Sequence, residues 1–239
     1  MAEVNLGRLI EDVEAATVRL VTAAAELDDD AVHAPSALPG WTRGHVLTHV
    51  ARSADSMTNL LVWARTGVET PQYASAEARA AGIADGAPRG AAEQLADLRA
   101  TSDRFLATAR DLPGDAWRVT VRSFNGDDHA AWFTLVRRWC EVEIHHVDLG
   151  TGYTPADWPD AFVAHVLGYT ADRWAARNTA PAAILRDTAA EREWRFPASD
   201  PSSSVAGPGP ALAAWAVGRS SGTGLSSTPG PVPTPPPWP

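Results

Sequence analysis

The sequence predicts a mainly α protein: an N-terminal four-helix bundle followed by a small C-terminal α/β domain. Up to about residue 178 the apolar residues recur at helical spacing in long, separate stretches. A Gly- and Thr-rich junction, "GTGYTP" at 150–155, interrupts them. After one more helix the stretches shorten, a strand-like run precedes a helical one, and proline dominates the end.

The first helix spans 6–27, where Leu6, Leu9, Ile10, Val13, Ala16, Thr17, Leu20 and Val21 fall near helical spacing. "LPGW" at 38–41 breaks the chain. Thr42 is placed to cap a second helix over 43–65, which Gly67 ends. Residues 68–90, with Pro71, Gly82, Gly86, Pro88 and Gly90, read as a loose connection. A third helix over 91–112 carries Leu95, Leu98, Phe105 and Leu106. "WRVTVRSF" at 117–124 alternates as a short strand does, and "NGDD" after it is a turn. A fourth helix spans 129–149. Four helices with one apolar face each bury those faces against one another, which makes a bundle.

A fifth helix follows over 159–177, then "EREWRFP" at 191–197 as a strand and "PALAAWAVGR" at 210–219 as a helix. The expected domains are 1–153 and 157–239. The terminal "PTPPPWP" reads either as a tail packed on its own core through Trp238 or as a polyproline ligand for a partner.

Composition excludes several function classes. The net charge of −9 argues against a nucleic-acid or anionic-membrane surface. No apolar run approaches the ~20 residues of a membrane span. The start, "MAEVNLGRLIEDVEAA", lacks the basic and apolar pattern of a signal peptide. Cys140 is the single cysteine, so there is no internal disulfide, and a reducing cytoplasm is the expected location. All 20 basic residues are Arg. A GC-rich genome accounts for that, yet any cationic anchor for an anionic substrate must then be Arg, which suits bidentate binding of carboxylates.

"RRWCEVEIHHVDLG" at 137–150 concentrates ligand-type side chains. Residues four apart share a helix face. Glu141 and His145 therefore point one way, with Asp148 three further on. Glu143 and His146 lie on a different stripe. A Glu and a His on one helix make half a metal site. The second helix offers the rest, because "GHVLTHVARSAD" sets His45 and His49 four apart among Val46, Leu47 and Val50. Bundle interiors hold metals by side chains from facing helices. Either histidine, with Glu141 and His145, makes a two-His, one-carboxylate set with a position left open. Zinc, non-haem iron or nickel fits such a set. The bland alternative is a chance Glu–His pair making a weak surface contact. Cys140 points ~100° away from Glu141 and reads as a small buried hydrophobe. Arg137 reads as a partner for Glu141 or a cover for the helix surface.

Taken together, "LPGWTRGHVLTHVARSAD", "NLLVWARTGVETPQYAS", "RRWCEVEIHHVDLGTGYTPADWP" and "AWAVGR" resemble the mycothiol-dependent maleylpyruvate isomerase family, in order and over nearly the whole chain. The resemblance implies a DinB-like four-helix bundle with a C-terminal domain related to sterol-carrier-like folds. It implies a divalent metal, typically zinc, on His49, Glu141 and His145, so it selects His49 over His45. It implies an active-site arginine in the "GR" after the last helix, here Arg219. Two positions depart from the family pattern: Ser53 stands where Asn is usual, and Gln72 where Met is usual. Both bear on specificity rather than on the metal set.

The family reaction converts maleylpyruvate to fumarylpyruvate. Rotation about its double bond is blocked until that bond is transiently single, which a thiolate achieves by adding and later leaving. Cys140 lies off the face, so the thiol is expected from mycothiol, made reactive by the metal. Arg219 would hold a substrate carboxylate or steady developing negative charge. Asp148 reads equally as a residue that fixes the ligand histidine or as a helix-end contact. The expected partners are a small dicarboxylate and a low-molecular-weight thiol, with the protein a monomer and a dimer left open. Two other functions suit the same scaffold: a metal-dependent mycothiol S-transferase, with Ser53 and Gln72 marking the difference, and a non-catalytic binding protein.

Overall fold

The computed structural model describes residues 5–197 and 200–238. The chain divides into two compact units, one ending at Gly152 and the other starting at Tyr153. Among the described residues no helix is long and apolar enough to cross a membrane.

The first unit is built on α1 (Leu6–Ala25), α3 (Arg43–Thr66), α5 (Ala91–Arg110) and α6 (Phe133–Asp148). The N-terminus of α1 is capped by the Asn5 side chain, which accepts from Arg8 N at 3.0 Å. Thr42 caps α3 in a capping box with His45, and Gly67 ends it at φ 72°, a left-handed conformation that glycine adopts without penalty. In the bundle α3 packs on α5 and α6, and α1 on α5 and α6. Leu20, Leu47, Leu60, Leu61, Leu98, Phe105 and Leu135 are fully buried between them. Each such side chain contributes about 1.5–3 kcal/mol by leaving water.

Two helices escape the sequence pattern. One is the short α2 (Asp29–His33), capped by Asp28. The other is α4 (Ala76–Gly86), inside the stretch read as loose. Ser75 caps α4, accepting from Ala78 N at 3.1 Å. Its alanines favour helix strongly enough to carry Gly82. The helix rests on α3. A Cβ on Gly86 would come within 2.4 Å of Thr48 Cγ2, and one on Gly44 within 2.3 Å of the Ala87 carbonyl oxygen. Buried Gln94 locks this contact: its amide donates to the Gly86 carbonyl at 2.9 Å, and its oxygen accepts from Thr48 Oγ1 at 3.1 Å.

The expected strand is a hairpin, β1 (Thr120–Arg122) with β2 (Asp128–Ala130). The fourth long helix accordingly starts at Phe133 rather than 129. Helical spacing misplaces this boundary because "DHA" pairs with β1 instead.

The second unit contains α7 (Asp160–Arg177), α8 (Gly209–Ala216) and a four-stranded sheet. The sheet order is β4 (Arg192–Arg195), β3 (Ile184–Asp187), β5 (Ser204–Gly207), β6 (Ser226–Thr228). Strands β3 and β5 are parallel, and the outer pairs are antiparallel. Only β4 matches a strand read from sequence; four-residue strands leave too short a period to detect. Leu185, Val205, Phe162, Leu212 and Trp215 form the core of this unit. The Trp174 and Trp215 rings meet edge to face with centroids 5.7 Å apart. The proline-rich end packs on this unit: Trp215 Nε1 donates to the Pro233 carbonyl at 2.9 Å, and Trp238 lies against Tyr169.

Candidate metal centre

Helix α6 separates its ligand-type residues as a 3.6-residue period requires. Glu143, 1% exposed, turns toward α1 and pairs with Arg19. Glu141, His145 and Asp148 occupy the other side. There α3 delivers His49, and one ligand atom from each of His49, Glu141 and His145 lies within 4.8 Å of the others. The two Nε2 atoms are 3.0 Å apart. Glu141 Oε2 is 2.9 Å from His49 Nε2 and 3.6 Å from His145 Nε2.

His45 is placed elsewhere. Its Nδ1 accepts from Thr42 N at 3.2 Å and lies 2.8 Å from Thr42 Oγ1, completing the cap of α3. One turn further along, His49 passes from the helix entrance to the bundle interior, where it is 5% exposed. The Trp41 ring abuts both imidazoles, at 5.9 Å from His45 and 5.7 Å from His49.

Asp148 has a defined partner. Its carboxylate lies 2.8 Å from His145 Nδ1, and its side chain is 2% exposed. A carboxylate can only accept, so Nδ1 carries the hydrogen and the Nε2 lone pair of a neutral ring faces the cluster.

Burial lowers the His49 imidazole below its ordinary value, although Glu141 pulls the other way. Burial by itself would raise the Glu141 carboxyl. The His49 and His145 rings and the Arg138 guanidinium outweigh it and hold the group well below the usual carboxylate range. Arg138 is 0% exposed and lies three residues before Glu141. Its guanidinium donates to the Val50 carbonyl at 2.8 Å and to Ser102 Oγ at 3.1 Å. Burial lowers its pKa to about 10, which leaves it charged at neutral pH.

The donor set fits a divalent cation. Glu141 Oε2 is shielded from solvent, yet it has no hydrogen bond of good geometry despite two imidazoles beside it. Two imidazole nitrogens and a carboxylate oxygen converging this closely are the donor set of a divalent cation, which would take the place of any hydrogen between them. The Glu141 side chain remains 28% exposed and that of His145 14%, so the cluster is open on one side.

The other singled-out residues fall as follows. Cys140 is half-buried next to Glu141, and loss of solvent pushes its thiol up to about 12. Such a thiol is almost wholly protonated at neutral pH and is inert as a nucleophile. Arg137 reaches Gln72 Oε1 at 3.4 Å rather than Glu141. Gln72 is itself an internal tie: Nε2 donates to Ser56 Oγ at 3.1 Å and Oε1 accepts from Phe124 N at 2.7 Å. Ser53 is 2% exposed within α3. Arg219 belongs to the second unit, in the turn after α8, where its backbone N–H donates to the Ala214 carbonyl at 2.8 Å.

Two residues near the cluster come from the stretch read as loose. Arg79 on α4 brings Nη2 to 3.4 Å from His49 Nδ1. Its guanidinium carbon lies 5.7 Å from the centroid of the Tyr73 ring. The one sequence signal for them is the Ser75 cap ahead of an alanine-rich run.

The model of the mycothiol maleylpyruvate isomerase N-terminal domain matches residues 13–150. The chain is similar to a crystal structure of the mycothiol-dependent maleylpyruvate isomerase, with TM-score 0.91, 30% identity and 98% of each chain covered. It is also similar to a histidine-to-alanine mutant of that isomerase, with TM-score 0.90, 29% identity and 98% of each chain covered. No curated protein matches it.

Proposed function

We propose that this chain, which belongs to the mycothiol-dependent maleylpyruvate isomerase family, is itself a metal- and thiol-dependent cis–trans isomerase acting on maleylpyruvate. The observation that carries the reading is the convergence of His49, Glu141 and His145, one side open. His49 and His145 would each donate Nε2, and Glu141 one carboxylate oxygen. A divalent cation bound there, most simply zinc, supplies a site at which the sulfur of mycothiol loses its proton and becomes able to relieve the blocked double bond.

The chain's own residues prepare that chemistry. Asp148 fixes the ring of His145 and its tautomer. The His49 and His145 rings hold the Glu141 carboxyl low, and Arg138 adds to that from within the bundle. Cys140 offers no competing nucleophile, since burial keeps its thiol protonated. Following the family, Arg219 is the residue proposed to bind a substrate carboxylate. A single free cysteine suits the reducing cytoplasm in which a free thiol cofactor persists.

The test loads purified protein with zinc and supplies mycothiol and maleylpyruvate. The expected product is fumarylpyruvate, with the thiol recovered unchanged. His49→Ala should lose both zinc and turnover, whereas Arg219→Ala should keep zinc and lose turnover. A stable thioether between mycothiol and substrate would replace isomerisation by S-transfer. A full zinc complement in His49→Ala would remove His49 from the site.

A further inference from the structure

Arg79 is a cation beside the His49–Glu141–His145 cluster with no carboxylate partner among the described residues. Its neighbours differ. Arg52 pairs with Asp55 and Asp97, Arg89 with Asp97, and Arg104 with Asp55. Those three arginines and two aspartates show what this region does with a guanidinium that has no other task. Arg79 is half-buried, its guanidinium carbon lies over the Tyr73 ring, and Nη2 faces an imidazole nitrogen at 3.4 Å. Partial burial of an unpaired charge is unfavourable unless an anion arrives to match it.

The tautomer of His49 sharpens the point. An arginine can only donate, so the contact with Nδ1 needs a lone pair there and places the hydrogen on Nε2. That hydrogen faces the cluster. A cation among the three ligands needs the Nε2 lone pair, which moves the hydrogen to Nδ1. Nδ1–H and the Arg79 N–H groups are then two donors facing each other. Loading the cluster therefore releases Arg79 from His49 and leaves its donors in want of an acceptor.

We infer that Arg79, steadied by the Tyr73 ring, is the carboxylate-binding residue of the first unit, engaging one carboxylate of the dicarboxylate substrate when the cluster holds its metal. The inference rests on the function proposed above and adds a residue to it. A planar guanidinium suits a carboxylate bidentately, and contact with the aromatic face limits the rotamers it loses on binding. Its position on α4, held against α3 by Gly86 and Gln94, keeps it beside the cluster.

The test measures binding of maleate, a cis-dicarboxylate, to zinc-loaded protein by calorimetry, without thiol. Zinc content is read alongside. Arg79→Gln should retain zinc and fold while binding maleate at least ~10-fold more weakly, the loss expected of one charge-assisted pair. Arg79→Lys should recover part of that loss, and it serves as the folded comparison if Arg79→Gln proves unstable. Binding of the uncharged diamide maleamide should not distinguish the variants. Equal maleate affinities in Arg79→Gln and the parent protein would overturn the inference, as would no maleate binding by the parent. Loss of zinc in both variants would also overturn it and make Arg79 a support for His49. If the parent binds maleate through Arg79 yet fails to isomerise maleylpyruvate, the isomerase reading falls and the carboxylate site stands.

Discussion

At the scale of single residues, the candidate centre depends on how Asp148 constrains His145. Asp148 and His145 share one helix turn, so their 2.8 Å contact needs no long-range packing. Asp148→Asn keeps the shape and removes the charge. It should weaken zinc binding about 10–100-fold, the range seen for carboxylates that orient ligand histidines, as checked by competition with a chelator. The pH response follows from His49 and Glu141. Both have folded-state pKa values below their ordinary ones. The folded metal-free protein thus binds fewer protons than the unfolded chain as pH falls from the ordinary histidine value, ~6.5. Stability therefore decreases with acidification, first through His49 and then through Glu141 below ~4.5. Thermal melts of metal-free protein between pH 7 and 5 should show a falling Tm, and His49→Gln should flatten that part of the curve.

Among elements, α4 decides what surrounds the cluster. Its C-terminal end presses so closely on α3 that only a glycine fits at 86, and the Gln94 amide bridges both helices and α5. Gly86→Ala would drive a methyl into Thr48 and should cost about 1–3 kcal/mol of stability in denaturant melts. Zinc content should hold, because α3 and α6 carry the candidate ligands, while α4 shifts with Arg79 on it. The sequence hides this helix for a physical reason. Nearly half of its residues are alanine and most are exposed, so it has almost no apolar face to reveal a period, and Pro71, Gly82, Gly86, Pro88 and Gly90 mask a valid Ser75 cap. The long helices are legible because each buries a stripe of large residues. The short strands β2, β3, β5 and β6 are not, since their pairing is decided by partners distant along the chain.

Over the whole molecule, every member of the candidate metal set lies in the first unit, and so does Arg79, whereas Arg219 lies in the second. A fragment of residues 1–152 should therefore bind zinc with one-to-one stoichiometry and show no isomerase turnover, as read by metal analysis and product assay. What the amino-acid order determined by itself is the set of long amphipathic helices, the shared face of Glu141 and His145, and the family resemblance. These depend on neighbours within a turn or on motifs contiguous along the chain. Spacing left His45 and His49 open and the resemblance chose His49; tertiary structure alone decided that His45 caps its own helix, that Gln72 is an internal tie, and that Arg79 stands beside the cluster. Periodicity places a side chain on a face of its helix. Which face meets which neighbour follows from packing among helices far apart along the chain, and local spacing carries no record of that.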